Sequence, residues 1–272
     1  MISVVILTLN EGRNLQRCLE SVRWSDDVIV VDSGSSDDTV GIAHAAGAKT
    51  LVRSFDTFAG QRNHAMEAAS FRHAWVLHLD ADEVVTPALR DEMLALATEP
   101  EPLFPVYRLP SRLIFRNRWL RHAGMYPAYQ VRLGQAHLLR FVDHGHGQRE
   151  VQSSEKVGTC REALDHYNFS KGINDWFGRH LRYARREAAQ AIDEAGSQLA
   201  WRQLASADPT TRRRTLKSLA NRMPFRPLLR FLYIYVIKRG FLDGAAGFHY
   251  SAMVGIYQYF IDLNEHELRE ET

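Results

Sequence analysis

The chain has 272 residues, 45% hydrophobic and 24% charged, which gives room for one large domain, or one domain with an appendage, and for a core that needs no staples. Its two cysteines, Cys18 and Cys160, stand far apart and in no C-x-x-C spacing, which argues against a disulfide framework or a cysteine zinc site and fits a reducing, cytosolic setting. The net charge of +2 conceals an asymmetry: residues 1–100 carry 8 Lys and Arg against 15 Asp and Glu, whereas residues 179–239 carry 14 against 4, so an acidic, metal-capable front precedes a basic rear suited to an anionic surface or substrate.

Residues 2–7 read as a first strand. They lack a basic leader and break at Asn10-Glu11-Gly12, too short for a signal peptide or a membrane span. Leu15, Leu19 and Val22 recur at helical spacing with Cys18 on the same side. Residues 28–31 form a β-branched run ending in Asp32, and residues 33–39, rich in N-cap types, lead into a helix through Val40, Ile42 and Ala43 that stops at Gly47. Residues 50–52 read as a third strand, and Gly60-Gln61-Arg62-Asn63 opens an alanine-bearing helix. A fourth strand from Trp75 ends in Asp80-Ala81-Asp82-Glu83. The strand–helix alternation predicts an α/β fold with a mostly parallel sheet covered on both faces. His78 reads as a buried structural histidine, and Glu83 as the start of a cap for a helix beginning near Thr86-Pro87.

Beyond Thr98 the character changes. Residues 106–109 and 113–115 read as two strands around Pro110-Ser111, residues 130–133 and 164–167 as further strands, and residues 143–150 as a loop rich in Gly, His and acids, of the kind that lines sites. From Ser170 onward only helices are expected, at about 173–195 ended by Gly196, 199–205, 211–222, and after Pro224. This divides the chain into a catalytic domain, 1–169, and a basic helical region, 170–272. Residues 245–263 read as a helix buried against the domain or a partner, since His249, Gln258 and Asp262 interrupt it.

Glu11, Asp32, Asp80 and Asp82 all stand just past strand ends. An open α/β sheet can bring them to one edge, where ligands bind. Alternation should point Asp80 and Asp82 to one side, with Ala81 small enough to let a large group lie close. Converging carboxylates repel unless a cation or hydrogen-bond donors compensate, and two hard oxygen donors suit a divalent metal carrying phosphate oxygens.

Four blocks in order, residues 4–11, 29–39, 60–63 and 79–83, resemble the nucleotide-sugar domain of glycosyltransferase family 2, of GT-A fold, with Asp80-Ala81-Asp82 matching its metal-binding D-x-D motif. Gln130-Val131-Arg132-Leu133, Glu150, His166-Tyr167 and the basic tail resemble, more loosely, the subgroup that builds lipopolysaccharide core or other surface polysaccharides. The resemblance implies that Asp32 accepts a hydrogen bond from the base, uracil, with Thr8, Asn10 and Glu11 beside it. Asp80 would hold the ribose or the metal, and Asp82 the metal, Mn2+ or Mg2+. Ser33, Gln61, Arg62, Asn63 and Ala81 would lie against the donor, though Asn63 equally suits a helix cap. An inverting transferase also needs a carboxylate base. Glu150 is the first choice and Asp143 the reserve, although relatives place Glu after His where this chain has Arg149-Glu150. A surface residue at a strand edge is the alternative reading of Glu150. His144 and His146 could bind phosphate or acceptor, and Arg132 could support the acceptor or the diphosphate.

The implied activity is inverting, metal-dependent transfer of a sugar from a UDP-sugar or similar nucleotide-diphosphate donor to a saccharide acceptor in bacterial lipopolysaccharide or surface polysaccharide biosynthesis. Two alternatives stand beside it. Residues 80–84 also resemble the strand-end motif of haloacid-dehalogenase-like phosphatases, with Asp80 as nucleophile, although three strands precede it here; the other is a non-catalytic, membrane-associated scaffold that binds a nucleotide sugar. In the rear, Arg179, Arg182 and Arg186 share a helix face, Arg212-Arg213-Arg214 form a run, and Arg222, Arg226 and Arg230 flank Phe225, Leu228, Leu229, Phe231 and Leu232. Arginines interleaved with large apolar residues predict peripheral attachment to an anionic membrane, at the inner face of the cytoplasmic membrane, and no run reaches the roughly 18 apolar residues of a span. No nucleic-acid module accompanies the charge.

Overall fold

The computed structural model describes residues 1–144, 147–151, 156–195, 223 and 225–271. They fall into two compact units: unit 1 is Met1–Trp119 with Tyr126–Ser170, and unit 2 is Leu120–Met125 with Lys171–Thr272.

Unit 1 begins with β1 (Ser3–Thr8), α1 (Leu15–Ser21), β2 (Val28–Asp32), α2 (Thr39–Ala45), β3 (Lys49–Val52), α3 (Phe58–Ala68), β4 (Trp75–Asp80), β5 (Glu83–Val84) and α4 (Pro87–Thr98). It continues as β6 (Val106–Phe115), β7 (Arg118–Trp119), β8 (Ala128–Gln135), β9 (Phe141–His144), β10 (Gly147–Glu150), β11 (Val157–Thr159) and β12 (Leu164–His166). The sheet order is β3-β2-β1-β4-β8-β6-β12-β5, with β7 and β11 also pairing with β6, while β9 and β10 form a separate hairpin. The first four strands in that order are parallel, and β8 joins β4 antiparallel. This is the mixed, mostly parallel α/β sheet that the strand–helix alternation predicts.

Parallel strands must be covered on both faces. On one face Val4, Ile6, Leu77 and Leu79 pack with Leu15 and Leu19 of α1 and Leu89 and Met93 of α4. On the other, Val5, Ile29, Val31 and Val76 meet Ala59, Ala65 and Met66 of α3. The β1 run therefore shows no polar alternation because neither face meets water. Thr86 caps α4 by accepting the Leu89 N–H at 3.2 Å, with Pro87 in the first turn.

The two strands expected around Pro110-Ser111 are one strand, β6. Proline has no N–H to give a ladder, yet Pro110 sits opposite Tyr129 of β8. On its other flank β6 pairs with β11 through Arg108 and with β12 from Ser111, so Pro110 falls in the gap between two partners. No ladder bond is lost there.

Unit 2 contains α5 (Ile173–Ala195), α6 (Arg226–Leu232), a π turn (Tyr233–Ile237), a 3-10 turn (Gly240–Asp243) and α7 (Gly244–Glu270). The predicted 173–195 helix is α5. Ala184 and Ala188 of α5 pack against Ile261 of α7, and the Tyr257 hydroxyl donates to Glu187 at 2.8 Å. Residues 120–125 belong here because the buried Asp243 carboxylate accepts the N–H groups of His122 and Ala123 at 2.9 and 2.8 Å. The helices expected at 199–205 and 211–222, with Arg212, Arg213, Arg214 and Arg222, lie outside the described residues. No described helix is long and apolar enough to cross a membrane.

Candidate active site

The site lies in unit 1, at the C-terminal ends of β1, β2 and β4. Asp32 ends β2 beside Thr8, its register partner on β1. Its buried carboxylate accepts the Thr8 hydroxyl at 3.1 Å, the N–H groups of Gly34 and Ser35 at 3.0 and 2.8 Å, and the Ser35 hydroxyl. Ser33 donates its N–H to the Thr8 carbonyl at 2.9 Å. Asp32 thus folds the 33–36 loop onto the strand end. Across it stands Asn10, in the left-handed region at φ 54°, whose backbone N–H donates to the Ser35 hydroxyl and whose side-chain Oδ1 accepts the Ser36 N–H, both at 2.8 Å. Glu11 accepts the Asn14 amide at 2.7 Å and donates its backbone N–H to Thr39 at 2.8 Å. These residues form one rim of hydrogen-bonded loops.

Asp80, at the end of β4, is balanced differently. Its Oδ1 accepts Arg62 Nη2 of α3 at 2.6 Å and its Oδ2 accepts Arg132 Nη2 of β8 at 2.6 Å. Arg132 Nη2 also reaches Glu83 Oε1 at 2.7 Å, while Glu83 Oε2 accepts the Asp80 N–H at 2.9 Å. Two guanidiniums and two carboxylates therefore interlock, and Arg62, Arg132 and Glu83 are each at most 2% exposed. Burial opposes the charge of Asp80, but Arg132 and then Arg62 outweigh it and hold its carboxyl well below the usual range. Burial and the like charge of Arg132 draw Arg62 down to about 10, and burial raises Glu83. Nε and Nη1 of both arginines are buried without a hydrogen-bond acceptor among the described residues. Such a cluster costs more than an apolar packing of similar volume, which points to a purpose other than stability.

Glu83 is thus corrected from a capping turn residue to a buried ion: it stands on β5 in step with the buried Val85, and Thr86 does the capping. Arg132 is likewise buried, on β8. That alternation of Glu83 with Val85 was the available signal. His78 is buried as expected. Its Nε2 lies 3.1 Å from Met66 Sδ, its ring stands edge-on to Phe141, and burial with the two arginines pushes its pKa well down, so the ring is neutral.

Asp82 stands two residues on, with Ala81 buried between the two aspartates. Its Oδ2 lies 3.3 Å from Nε2 of His166 on β12, and its carbonyl accepts the Tyr167 N–H at 2.8 Å. Burial disfavours the charged imidazole, yet Asp82, then Glu83 and Asp80, raise His166 to about 9. Arg17 of α1 lies over the Tyr167 ring, 3.6 Å from its centroid. In the sequence His166 stands out only through the looser resemblance of His166-Tyr167, and Arg17 not at all; long-range pairing brings both here.

Of the other candidates, Gln61 donates to the carbonyls of Arg53 and Ser54 at 3.1 and 3.0 Å. Asn63 is not a cap: the cap of α3 is Thr57, and Asn63 exchanges two hydrogen bonds with the Phe141 backbone, at 2.8 and 3.0 Å, which tie the β9–β10 hairpin to α3. On that hairpin Glu150 is half-buried opposite Phe141, and the exposed Asp143 pairs with Gln148. His146 and the side chain of His144 lie outside the described residues. Of the four carboxylates expected to converge, Glu11 meets the Asn14 amide, Asp32 the loop donors, Asp80 the two arginines and Asp82 His166. Among the described residues no three His, Cys, Asp or Glu side chains converge on a metal position.

Comparison with known proteins identifies the family. An uncharacterised glycosyltransferase of Rickettsia bellii is 36% identical over 179 residues, 61% of this chain and 60% of its own length. The lipopolysaccharide core biosynthesis glycosyltransferase LpsC of Rhizobium meliloti is 34% identical over 106 residues, 36% of this chain and 38% of its own. The chain thus spans about 40 to 60% of the length of the curated relatives it first matches. Among solved structures, glucosyl-3-phosphoglycerate synthase of Mycobacterium tuberculosis, in complex with Mn2+, UDP and glucosyl-3-phosphoglycerate, overlaps 71% of this chain and 79% of its own with a TM-score of 0.46 at 18% identity. The family model described as Glycosyl transferase family 2 matches residues 3–154, more than half of the sequence. The chain belongs to glycosyl transferase family 2.

Proposed function

We propose that this chain is an inverting, metal-dependent glycosyltransferase that moves a sugar from a nucleotide-diphosphate donor, a UDP-sugar, to a saccharide acceptor of bacterial lipopolysaccharide or surface polysaccharide, working at the inner face of the cytoplasmic membrane. The observation that carries this reading is the unequal treatment of the two aspartates of Asp80-Ala81-Asp82. Asp80 is kept ionised by two arginines that already fill its strongest acceptor directions, so it suits a ribose hydroxyl better than a metal. Asp82, beside His166, is 18% exposed and offers a carboxylate oxygen.

A hard carboxylate oxygen at this position would suit a Mn2+ or Mg2+ ion that carries diphosphate oxygens. When bound, the ion would neutralise charge on the departing diphosphate. The chain's own residues do the rest. The Asn10, Asp32 and Ser35 loops form a rim of fixed hydrogen-bonding groups for the base, Arg62 and Arg132 hold Asp80 in place, and Glu150, with Asp143 in reserve, takes the acceptor proton. LpsC is described as a core biosynthesis enzyme, which supports an envelope acceptor. A phosphatase using Asp80 as nucleophile is disfavoured because both of its oxygens are ion-paired.

The deciding experiment is a thermal shift of the full chain against UDP, GDP, dTDP and CDP with Mn2+ or Mg2+, repeated with chelator. Stabilisation by UDP that chelator removes, and that Asp82→Ala lacks, is expected. Stabilisation indifferent to chelator would overturn the metal assignment. Binding without release of UDP from any UDP-sugar would favour the scaffold.

A further inference from the structure

We propose that unit 2 carries a bilayer-inserting surface, formed by the outer faces of α6, the π turn and α7, whose partner is an anionic lipid bilayer. The inference rests on the membrane attachment proposed above, but not on the donor or metal assignments, and it extends the contact from α6 to the π turn and α7.

The sides of helices that face water are normally polar. Here Phe225, Leu228, Leu232 and Val236 recur at helical spacing along α6 and the π turn, and all are exposed, Phe225 to 78%; Ile237 is exposed to 70%. On α7, Phe248, Ile256, Tyr259 and Leu263 form a second exposed stripe. Between the helices runs an open apolar groove of about 320 Å³ lined by Pro227, Phe231, Ala252, Gly255, Ile256 and Tyr259. Continuous exposed hydrocarbon of this extent marks an interaction surface.

Charge selects the occupant. Residues 223–242 contain Arg226, Arg230, Lys238 and Arg239 and no acid. Arg226 is turned inward, paired with Asp262 at 2.6 Å and Glu265 at 3.0 Å, whereas Lys238 and Arg239 are exposed beside Ile237. A second copy docked face to face would set these cations against one another. Anionic headgroups would neutralise them while the hydrocarbon enters the acyl boundary, the arrangement of an interfacial helix. On α5, by contrast, Arg179 is paired with Asp175, and Arg185 lies 3.9 and 3.6 Å from Glu267 and Glu271.

The test is sedimentation of the full chain with vesicles of phosphatidylcholine alone or mixed with phosphatidylglycerol, with light scattering for oligomeric state and a melt of every variant. Wild type is expected to bind the anionic vesicles about tenfold more tightly or better. Val236→Glu with Ile237→Glu should weaken that binding about tenfold or more at unchanged melting temperature, and Lys238→Glu with Arg239→Glu should erase the preference for anionic lipid. Because all four positions are exposed, folding should survive, and melting confirms it. Binding that both variants retain would overturn this surface while leaving membrane attachment standing elsewhere. Absence of wild-type binding would overturn both. A wild-type dimer that Val236→Glu with Ile237→Glu dissociates, without vesicle binding, would make the occupant a second copy.

Discussion

Unit 1 keeps Arg62, Arg132 and Glu83 almost wholly out of water, while unit 2 leaves most of Phe225 and Ile237 in it. Each departs from the ordinary arrangement, in which ions are solvated and large apolar groups are covered. A buried ion is tolerated only if opposite charges meet it, so the cluster at Asp80 constrains three parts of the chain, α3, β8 and the β4–β5 turn, to one geometry. An exposed apolar side chain constrains nothing inside the fold. The first kind of residue reports on internal positioning and the second on what lies outside.

The largest effect is expected at Asp82. Its carboxylate is 18% exposed and its Oδ2 lies 3.3 Å from His166 Nε2. Asp82→Ala should reduce UDP release from UDP-sugar by about 10²–10³-fold, the loss typical when one fixed electrostatic contact to developing charge is removed. Its urea midpoint should stay close to that of wild type. Activity within a few-fold of wild type would break the division of labour between Asp82 and Asp80.

Next comes Arg132→Met, which leaves Asp80 and Glu83 facing Arg62 alone. Breaking a buried pair by removing one partner costs about 3–5 kcal/mol, to be read from urea unfolding of the full chain. Arg132→Lys should recover only part of this: both contacts come from the single nitrogen Nη2, but an ammonium on a shorter, flexible stem must reach the same position between two carboxylates. Wild-type stability in Arg132→Met would mean that the cluster is not what fixes the strand end.

The sequence made one side of this site legible. Period and strand-end acids announce β1, β2 and β4 and place Asp32, Asp80 and Asp82 at one edge, because a buried parallel strand writes itself as an unbroken apolar run. It did not reveal that Asp80 meets Arg132, 52 residues on, or that Asp82 meets His166, 84 residues on. Those contacts depend on β8 reversing against β4 and on β12 reversing against β5, and neither register has a local signature. Asn63 misled for the same reason: its partner is the backbone of Phe141 across the hairpin. In unit 2 the apolar clusters were legible as clusters, but which side of each helix faces inward was decided by packing.

A smaller effect is expected at Asp27, a buried acid away from the site. It accepts the Ser3 hydroxyl at 2.6 Å, the Arg72 N–H at 2.8 Å and Lys49 Nζ at 2.8 Å. Burial alone would raise its pKa, but these donors outweigh burial and lower it. A folded-state pKa below the unfolded value near 3.9 means stability that is present above that value and lost as pH falls through the folded one. Asp27→Asn should cost about 1–3 kcal/mol at neutral pH. The gap to wild type should narrow as the pH drops below about 4, where the wild-type carboxyl protonates too. A gap that stays constant down to pH 2 would show that the carboxylate charge is not the stabilising feature.

The smallest effect is expected at Ile237. Ile234 and Ile237 share one π turn, yet Ile234 is 1% exposed and Ile237 is 70% exposed. Truncating a buried isoleucine to alanine removes its transfer energy and leaves a cavity, a cost of about 2–5 kcal/mol. Ile237→Ala removes hydrocarbon that was already in water and should change unfolding by no more than about 0.5 kcal/mol. If Ile237→Ala proved as costly as Ile234→Ala in the isolated chain, Ile237 would have to be packed in the folded protein. The outer face of unit 2 would then belong to its core. Equal stability of Ile237→Ala and wild type, together with weaker vesicle binding by the variant, would place the energy of that side chain in an interaction that folding does not use.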